Sequence, residues 1–480
     1  MKRYFLALAG IVVALFPEIG SSGAAIVHAS DKPLYPANTY KIPERIKDGW
    51  ETAALTDVSL NPAPISEMVQ YIRAGLHPNI HSVLLIKDGR LVLEEYFNGY
   101  NRNRLHFQAS VTKSVVSLLA GIAIDRKLIP SIDEPLLRYF PEYVQRIGDV
   151  NRKKSITLRH LLTMSAGLEW HATGIKRRDE RHSTYQMWES ADPVGFVLMR
   201  RVVAEPGKMW YYNSGLTILL GEVLRKSAGM PIDAFAQLHL FTPLGITQYQ
   251  WDGSPSGVVQ TDGGLYLRPR DMGKIGLLVL REGTWKGRTV VSSFWIEEST
   301  RNHIHAWSVG YGYQWRRGKA LVSSQEIDVV YASGHGGQRI FIIPALDLIA
   351  VFTSKVFDNP GGHTRSDGML IRYILPSLIS PVPPPEPYEL PFGYLKVFEG
   401  LYKHRYSPYV ARIVAEDGKL AGYSPEGERL ESIARSPHEF FGISEQFGPF
   451  SIEFVKNKSG VIGMLWFRYG LKQLPFDRIE

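Results

Sequence analysis

The sequence predicts an α/β unit, one antiparallel sheet flanked by helices with a largely helical insertion, followed by a small all-β domain. Three observations carry that prediction. Strand patterns lie early and late in the first 377 residues, with helices and loops between them. A proline-rich stretch, Pro376 to Pro391, then interrupts the chain, and short apolar runs separated by Gly, Pro and Asp turns fill the remainder. Strands at the two ends of a unit complete one sheet when the intervening helices bring the ends back together. Pro-rich segments are stiff and extended, so this one marks a linker over 378–393, between a domain over 30–377 and a second over 394–480. A chain of 480 residues also exceeds what one hydrophobic core usually organises.

Taken in order, residues 1–29 read as a signal peptide: Lys2 and Arg3, an apolar run from Tyr4 to Phe16, and Val27-His28-Ala29 as a small-residue cleavage site. The run is short for a membrane span, and the other reading is an uncleaved N-terminal anchor. A cleaved signal implies a periplasmic or secreted protein with no stable membrane insertion. Ile65 to Leu76 suggests a first helix, and Ser82 to Ile86 with Arg90 to Phe97 a hairpin turning at Asp88-Gly89. Val111, Val115, Leu118, Leu119 and Ile122 form an apolar stripe on a helix that opens at Ser110. From about Ile129 to Gln260 the pattern is helices and loops, and Arg270 to Arg281 is a helix ended at Gly283. Strands return from Gly310 to Trp315 and in an apolar hairpin, Arg339 to Ile343 and Leu346 to Thr353, before a last helix near Arg365 to Leu375. In the tail, Leu401-Tyr402, Ala411 to Val414, Lys419-Leu420, Phe440-Phe441, Ile452 to Val455 and Val461 to Phe467 are strand candidates.

Composition excludes several functions. The formal net charge of +8 is small for this length, and the basic clusters Arg152-Lys153-Lys154 and Lys176-Arg177-Arg178 are short, so they read as solvated loops and no nucleic-acid partner is expected. With no cysteine there is neither a disulfide framework nor a lipoprotein attachment site. No G-x-S-x-G elbow or phosphate-binding glycine loop occurs. His438-Glu439 lacks the second histidine of a zincin helix, and His303 and His305 lack evident partners for a metal cage. Neither a metal nor an organic cofactor is therefore expected.

Chemistry points instead to Ser110-Val-Thr-Lys113. Residues three apart share a helix face, so the amine lies beside the hydroxyl, and a free serine needs such a partner to become a nucleophile. About two S-x-x-K matches are expected by chance in a chain this long, and this is the single one here. Its place at a helix start, where unpaired N–H groups favour a developing oxyanion, suits acyl transfer. Serine as a plain N-cap beside a solvated lysine is the competing reading.

Two further segments follow in order: Tyr211-Tyr212-Asn213 after Glu205-Pro206-Gly207-Lys208, and Gly334-His335-Gly336-Gly337-Gln338 before the apolar hairpin. The succession S-x-x-K, Y-x-N and a (K/H)-x-G triplet resembles the serine β-lactamase and penicillin-binding-protein superfamily, nearest the class C β-lactamase and esterase-like branch. Ile156 to Leu168 and Gly263-Gly264-Leu265 leading to Arg270-Asp271-Met272 also resemble family segments, so the likeness runs from roughly Ser59 to Ser377. It implies a β-lactamase/transpeptidase-like fold with the site between an α/β and a helical subdomain, and a serine hydrolase acting on a small ester, amide or peptide. By the same resemblance Ser110 is the nucleophile, Lys113 tunes it, and Tyr211, the tyrosine in the Y-x-N register, is the general base. Asn213 binds the substrate and helps fix Lys113, or merely forms a turn before Ser214-Gly215. Gly336 and Gly337 let substrate approach, and the N–H groups of Ser110 and Gln338 form the oxyanion hole. His335 stands where efficient β-lactamases carry lysine, which removes a fixed charge for a substrate carboxylate and favours neutral esters or amides. A non-hydrolysing peptidoglycan-binding protein and a D-amino-acid peptidase or transpeptidase are the alternatives. The tail resembles a lipocalin-like β-barrel, expected to be filled by its own side chains and packed on the first domain rather than to hold a hydrophobic ligand.

Overall fold

A computed structural model describes residues 40–480 apart from 173–174, 177, 323–324, 356–364, 380–385, 425–426 and 445–447. The expected signal peptide and the centre of the expected linker lie outside the described residues. Among the described residues, nine strands form the main sheet in the order Glu51–Thr52, Arg90–Tyr96, Ile80–Lys87, Leu348–Ser354, Gln338–Ile343, Gln325–Gly334, Arg316–Val322, Val309–Tyr311 and Ile304–Ala306. The early and late strands meet as expected: Ile80–Lys87 runs antiparallel to Leu348–Ser354, with Ser82 opposite Thr353 and their hydroxyls 2.6 Å apart. One pairing departs from the all-antiparallel expectation. Glu51–Thr52 lies parallel to Arg90–Tyr96, and a two-residue strand is too short to leave a periodic signal.

Helices cover both faces of the sheet. Helix Pro269–Leu280 lies close on one face because Gly276 has no side chain there; a Cβ would meet Ile349 Cγ2 at 2.8 Å and Ile340 Cγ2 at 2.9 Å. Pro62–Arg73 and the helical segment 365–377 pack with the other face. Helix Val111–Asp125 differs from the one-sided stripe that the sequence suggests. Every residue from Val111 to Ala123 is buried, since the helix runs inside the domain, wedged among the sheet and neighbouring helices. Gly121 makes room for one of them: a Cβ there would sit 2.3 Å from the Trp295 ring, whose indole N–H donates to the Ser117 carbonyl at 3.0 Å.

Beyond the proline-rich stretch, eight antiparallel strands close a barrel: Gly400–His404, Val410–Glu416, Lys419–Tyr423, Arg429–Ala434, Glu439–Ser444, Gly448–Lys456, Ile462–Tyr469 and Lys472–Arg478. Two of these escaped the sequence pattern for physical reasons. Arg429–Ala434 is mostly polar, and Lys472–Arg478 contains Pro475, a residue that argues against a strand interior. The barrel tolerates Pro475 opposite Trp466, and its carbonyl accepts from the Arg405 amide at 3.0 Å. Aromatic side chains fill the inside; Phe398, Phe440 and Phe454 meet edge to face or tilted, and the Tyr402 hydroxyl donates to the Phe398 carbonyl at 2.8 Å. The barrel is also packed on the first domain. Leu471, in its last turn, is buried in the apolar layer beneath the main sheet, and Arg468 pairs with Glu326 at 3.6 Å. Among the described residues no helix is long and apolar enough to cross a membrane.

Candidate active site

Helix Val111–Asp125 begins at Ser110, and the residue before it is strained. Ala109 has φ of 46°, in the left-handed region that an alanine avoids at a cost of about 1–3 kcal/mol. The kink is held by its surroundings: the Gln108 amide donates to Leu265 O at 2.8 Å, and the buried Thr112 hydroxyl accepts from the Leu265 amide at 3.3 Å. Ser110 itself has helical backbone angles, and its side chain makes no cap hydrogen bond. The hydroxyl is thus left for chemistry, and the plain N-cap reading does not describe it. Among the described residues no protein acceptor takes the Ser110 amide.

Lys113 is buried, with 2% of its surface exposed, so it is not the solvated lysine of the competing reading. Its ammonium donates to Ser110 Oγ at 3.1 Å and, through a short hydrogen bond, to the carbonyl oxygen of Asp262. That second acceptor explains the family segment around Gly263-Gly264-Leu265: its backbone both braces the Ser110 turn and satisfies the lysine.

The hydroxyl that reaches the serine belongs to Tyr212, not to Tyr211. Tyr212 Oη donates to Ser110 Oγ at 2.6 Å, and the Lys113 ammonium lies 5.2 Å from the Tyr212 ring centroid. Neighbouring residues of a non-helical segment point different ways, so a tyrosine doublet leaves the choice open by one residue. The Y-x-N spacing selects Tyr211, whose amide donates to Met164 O at 2.8 Å and whose ring, like that of Tyr212, packs against the apolar core. Nothing in the doublet itself signals the difference.

Asn213 caps helix Ser214–Ala228, its Oδ1 accepting from the Gly215 amide at 2.8 Å. It does not fix Lys113, whose hydrogen-bond partners are Ser110 and Asp262. The carbonyl end is occupied by the cap. The buried Nδ2 finds no acceptor among the described residues, and the same holds for Gln108 Oε1 and Gln314 Nε2. Gln108 and Gln314 left no motif in the sequence, although Gln314 accepts from Ser114 through its carbonyl at 2.7 Å.

The third segment arrives by close backbone approach. A Cβ on Gly334 would lie 2.3 Å from the Gln108 carbonyl oxygen, so glycine lets the end of strand Gln325–Gly334 touch the segment that carries Ser110. His335 follows in the turn, half-buried, and Gly336 and Gly337 have φ of 85° and 96°. Gln338 is fully buried and its side chain is committed to the sheet: Oε1 accepts from the Ser354 amide at 3.1 Å, and Nε2 donates to Ser354 O at 2.5 Å and His335 O at 3.4 Å. What Gln338 can offer a substrate is its backbone.

A serine with a lysine and a tyrosine on its oxygen is an arrangement for acyl transfer, and a family model described as Beta-lactamase matches residues 70–372, well over half of the chain. The chain belongs to the β-lactamase family. Members of that family are serine hydrolases, and the nine-stranded sheet with its helices is the β-lactamase fold. The chain is similar to Monacolin J acid methylbutanoyltransferase of Aspergillus terreus, 28% identical over 152 residues, 29% of this chain and 36% of that protein. It therefore spans about a third of that relative's length. It is also similar to 6-aminohexanoate-dimer hydrolase of Paenarthrobacter ureafaciens, 24% identical over 306 residues, 58% of this chain and 73% of that protein. In fold it resembles the octameric penicillin-binding protein homologue from Pyrococcus abyssi, with a TM-score of 0.50 at 19% identity over 86% of this chain and 99% of the other.

Proposed function

We propose that the chain is an exported serine hydrolase that cleaves a neutral ester or amide through an acyl-Ser110 intermediate. The observation that carries the proposal is the convergence of Lys113 Nζ and Tyr212 Oη on Ser110 Oγ, at 3.1 and 2.6 Å, at the start of a buried helix. In the acylation step Ser110 Oγ attacks the substrate carbonyl while its proton enters a relay through the Tyr212 hydroxyl. Tyr212 then returns that proton to the leaving alcohol or amine as the carbonyl–heteroatom bond breaks. Water repeats the sequence on the acyl-serine, giving up one proton through Tyr212 to Ser110 and releasing the acid. The Lys113 ammonium keeps the site positive throughout, and the Ser110 amide with the backbone N–H of Gln338 would receive the oxyanion. His335, in place of a lysine, supports neutral substrates over carboxylates.

Intact-mass spectrometry after exposure to a fluorophosphonate tests the nucleophile, and a panel of p-nitrophenyl esters, nitrocefin and D-Ala-D-Ala peptides tests the substrate class. One phosphonyl adduct on Ser110 and preferred turnover of the esters are expected. No adduct on folded protein would favour a ligand-binding role, and rapid nitrocefin turnover would overturn the reading of His335. Export through residues 1–29 is checked by N-terminal sequencing of the mature protein.

A further inference from the structure

The hairpin formed by Ile304–Ala306 and Val309–Tyr311 closes one edge of the main sheet, and both ends of it are engaged. Its tip is strained: Trp307 has φ of 57°, a backbone region uncommon for a bulky side chain, and the Ser308 amide folds back onto Ala306 O at 2.6 Å. The tip is gripped by the barrel, since the Gln473 amide donates to Ser308 O at 2.6 Å. Two residues before Trp307, His305 lies against two barrel aromatics, 5.2 Å from Trp466 and stacked at 6.3 Å on Tyr406. Gly318, on the neighbouring strand Arg316–Val322, lets the barrel seat there; a Cβ would stand 2.7 Å from Leu471 O.

The other side of the hairpin faces the catalytic tyrosine. Trp307 meets the buried Trp210 edge to face at 5.4 Å, and Tyr311 meets the same ring at 5.6 Å. Trp210 in turn lies 6.1 Å from the ring of Tyr212. Burial, and after it the nearby Tyr212, push the Tyr311 phenol well above its ordinary value, so Tyr311 packs there as a neutral ring. The barrel therefore grips the hairpin through His305 and the Ser308 carbonyl, the hairpin backbone links those contacts to Trp307 and Tyr311, and packed rings lead from there through Trp210 to Tyr212, whose hydroxyl meets Ser110.

We propose that the C-terminal barrel sets the position of Tyr212, acting through the hairpin, with Trp307 and Tyr311 as positioning residues on the Trp210 ring. The idea rests on the hydrolase reading above and deepens it by giving the barrel a part in the reaction. A strained tip held from outside relaxes when its hold is removed, and the rings behind it shift with it. A proton-transferring hydroxyl displaced by a fraction of an ångström slows the chemical step more than it weakens substrate binding.

The test uses the full-length chain. Trp466→Ala removes the barrel ring against His305, Gln473→Pro removes the N–H that Ser308 accepts, and Trp307→Ala removes the ring at the tip. For each folded variant, kcat for p-nitrophenyl acetate is expected to fall about tenfold to a hundredfold with KM within about twofold, and fluorophosphonate labelling of Ser110 to slow in parallel. Trp466→Phe and Trp307→Phe, which keep a ring in place, should recover most of the loss. Folded Trp466→Ala and Gln473→Pro proteins with wild-type kcat would overturn the proposal, as would a loss that appears in KM alone. If Trp466→Ala fails to fold, Gln473→Pro alone decides. A wild-type protein that neither turns over the ester nor labels at Ser110 would sink the hydrolase reading as well, whereas normal wild-type labelling with unaffected variants would sink this inference only.

Discussion

The two apolar interiors of this chain differ in the polar groups they gather. Inside the barrel the buried layer is mainly Phe, Leu and Ile, the Tyr402 hydroxyl is satisfied within it, and an apolar gap of about 60 Å³ lies among Ile413, Leu430, Leu465, Leu474 and their neighbours. Ligand pockets are typically about 300 Å³ or more, so this interior is occupied by its own side chains. Around Ser110, by contrast, a lysine is buried against a serine and a main-chain carbonyl, the residue before the serine is left-handed, and Asn213, Gln108 and Gln314 each leave a buried polar atom without a protein partner. Each such departure costs stability. The difference lies in convergence rather than in unpaired atoms, since His404, His438 and Ser451 of the barrel also leave a buried polar atom without a partner among the described residues: only around Ser110 do a buried lysine and a tyrosine meet on one hydroxyl beside a left-handed residue, which is where the proposed chemistry would reside.

The largest expected effect falls on the strained interior. Ser110→Ala should lower ester hydrolysis by at least about three orders of magnitude and abolish the fluorophosphonate adduct. Its thermal midpoint should hardly move, because the hydroxyl does not cap its helix. Full activity in purified Ser110→Ala protein would remove the basis for placing the reaction there.

Next in size is the choice between the adjacent tyrosines. Tyr212→Phe is expected to cost about two to four orders of magnitude in kcat, and Tyr211→Phe less than about tenfold. The reverse order would restore the Y-x-N register and show that Tyr212 is a packing residue that happens to touch the serine.

A third pair of substitutions asks whether the interiors unfold as one. Leu471→Ala, in the layer shared by barrel and sheet, should destabilise the chain by about 2–5 kcal/mol in urea, and Phe398→Ala, inside the barrel, by about 3–5 kcal/mol. Because Leu471 bridges the two, a single unfolding transition is expected for Leu471→Ala. If Phe398→Ala gives a separate early transition while Ser110 labelling persists, the barrel is an independent unit and its supporting role is weaker than the contacts imply.

The smallest effect is on pH dependence, and it touches both regions. His81 and His106 share a 2.8 Å hydrogen bond beneath the Ser110 segment, and burial lowers both to about 4, with His106 and Arg104 adding to the effect on His81. At the barrel contact His305 and His404 are also lowered to about 4, each mainly by burial, with Arg405 lowering His305 further and His305 lowering His404. The unfolded chain therefore binds more protons than the folded one between about pH 4 and 6.5, so unfolding becomes easier as pH falls through that window and the contribution is complete above it. Thermal midpoints should drop between about pH 7 and 4.5, and His81→Gln and His404→Gln should each flatten part of the drop. Equal midpoints across that range would show that neither cluster is sealed from protons in the folded protein.

Much of the fold was readable in the sequence because its signals are local. Asp88-Gly89 turns a hairpin through two left-handed residues, and the barrel strands all follow the proline-rich stretch in the chain. Short apolar runs mark many of the strands on either side of that stretch, and Ser110 with Lys113 stand one turn apart because helix geometry fixes that spacing. What needed the tertiary structure was set by contacts between distant segments. Tyr212 rather than Tyr211 reaches the serine because of how the chain enters helix Ser214–Ala228, and the lysine's second partner is the Asp262 carbonyl, 149 residues away. Strand Lys472–Arg478 hides behind its proline, and its neighbour Leu471 is buried in another domain's apolar layer. Local propensity fixes which residues turn, alternate or share a helix face, but which hydroxyl, carbonyl or ring lies within about 3 Å of another depends on the packing of elements far apart in the chain, and no short stretch of sequence encodes it.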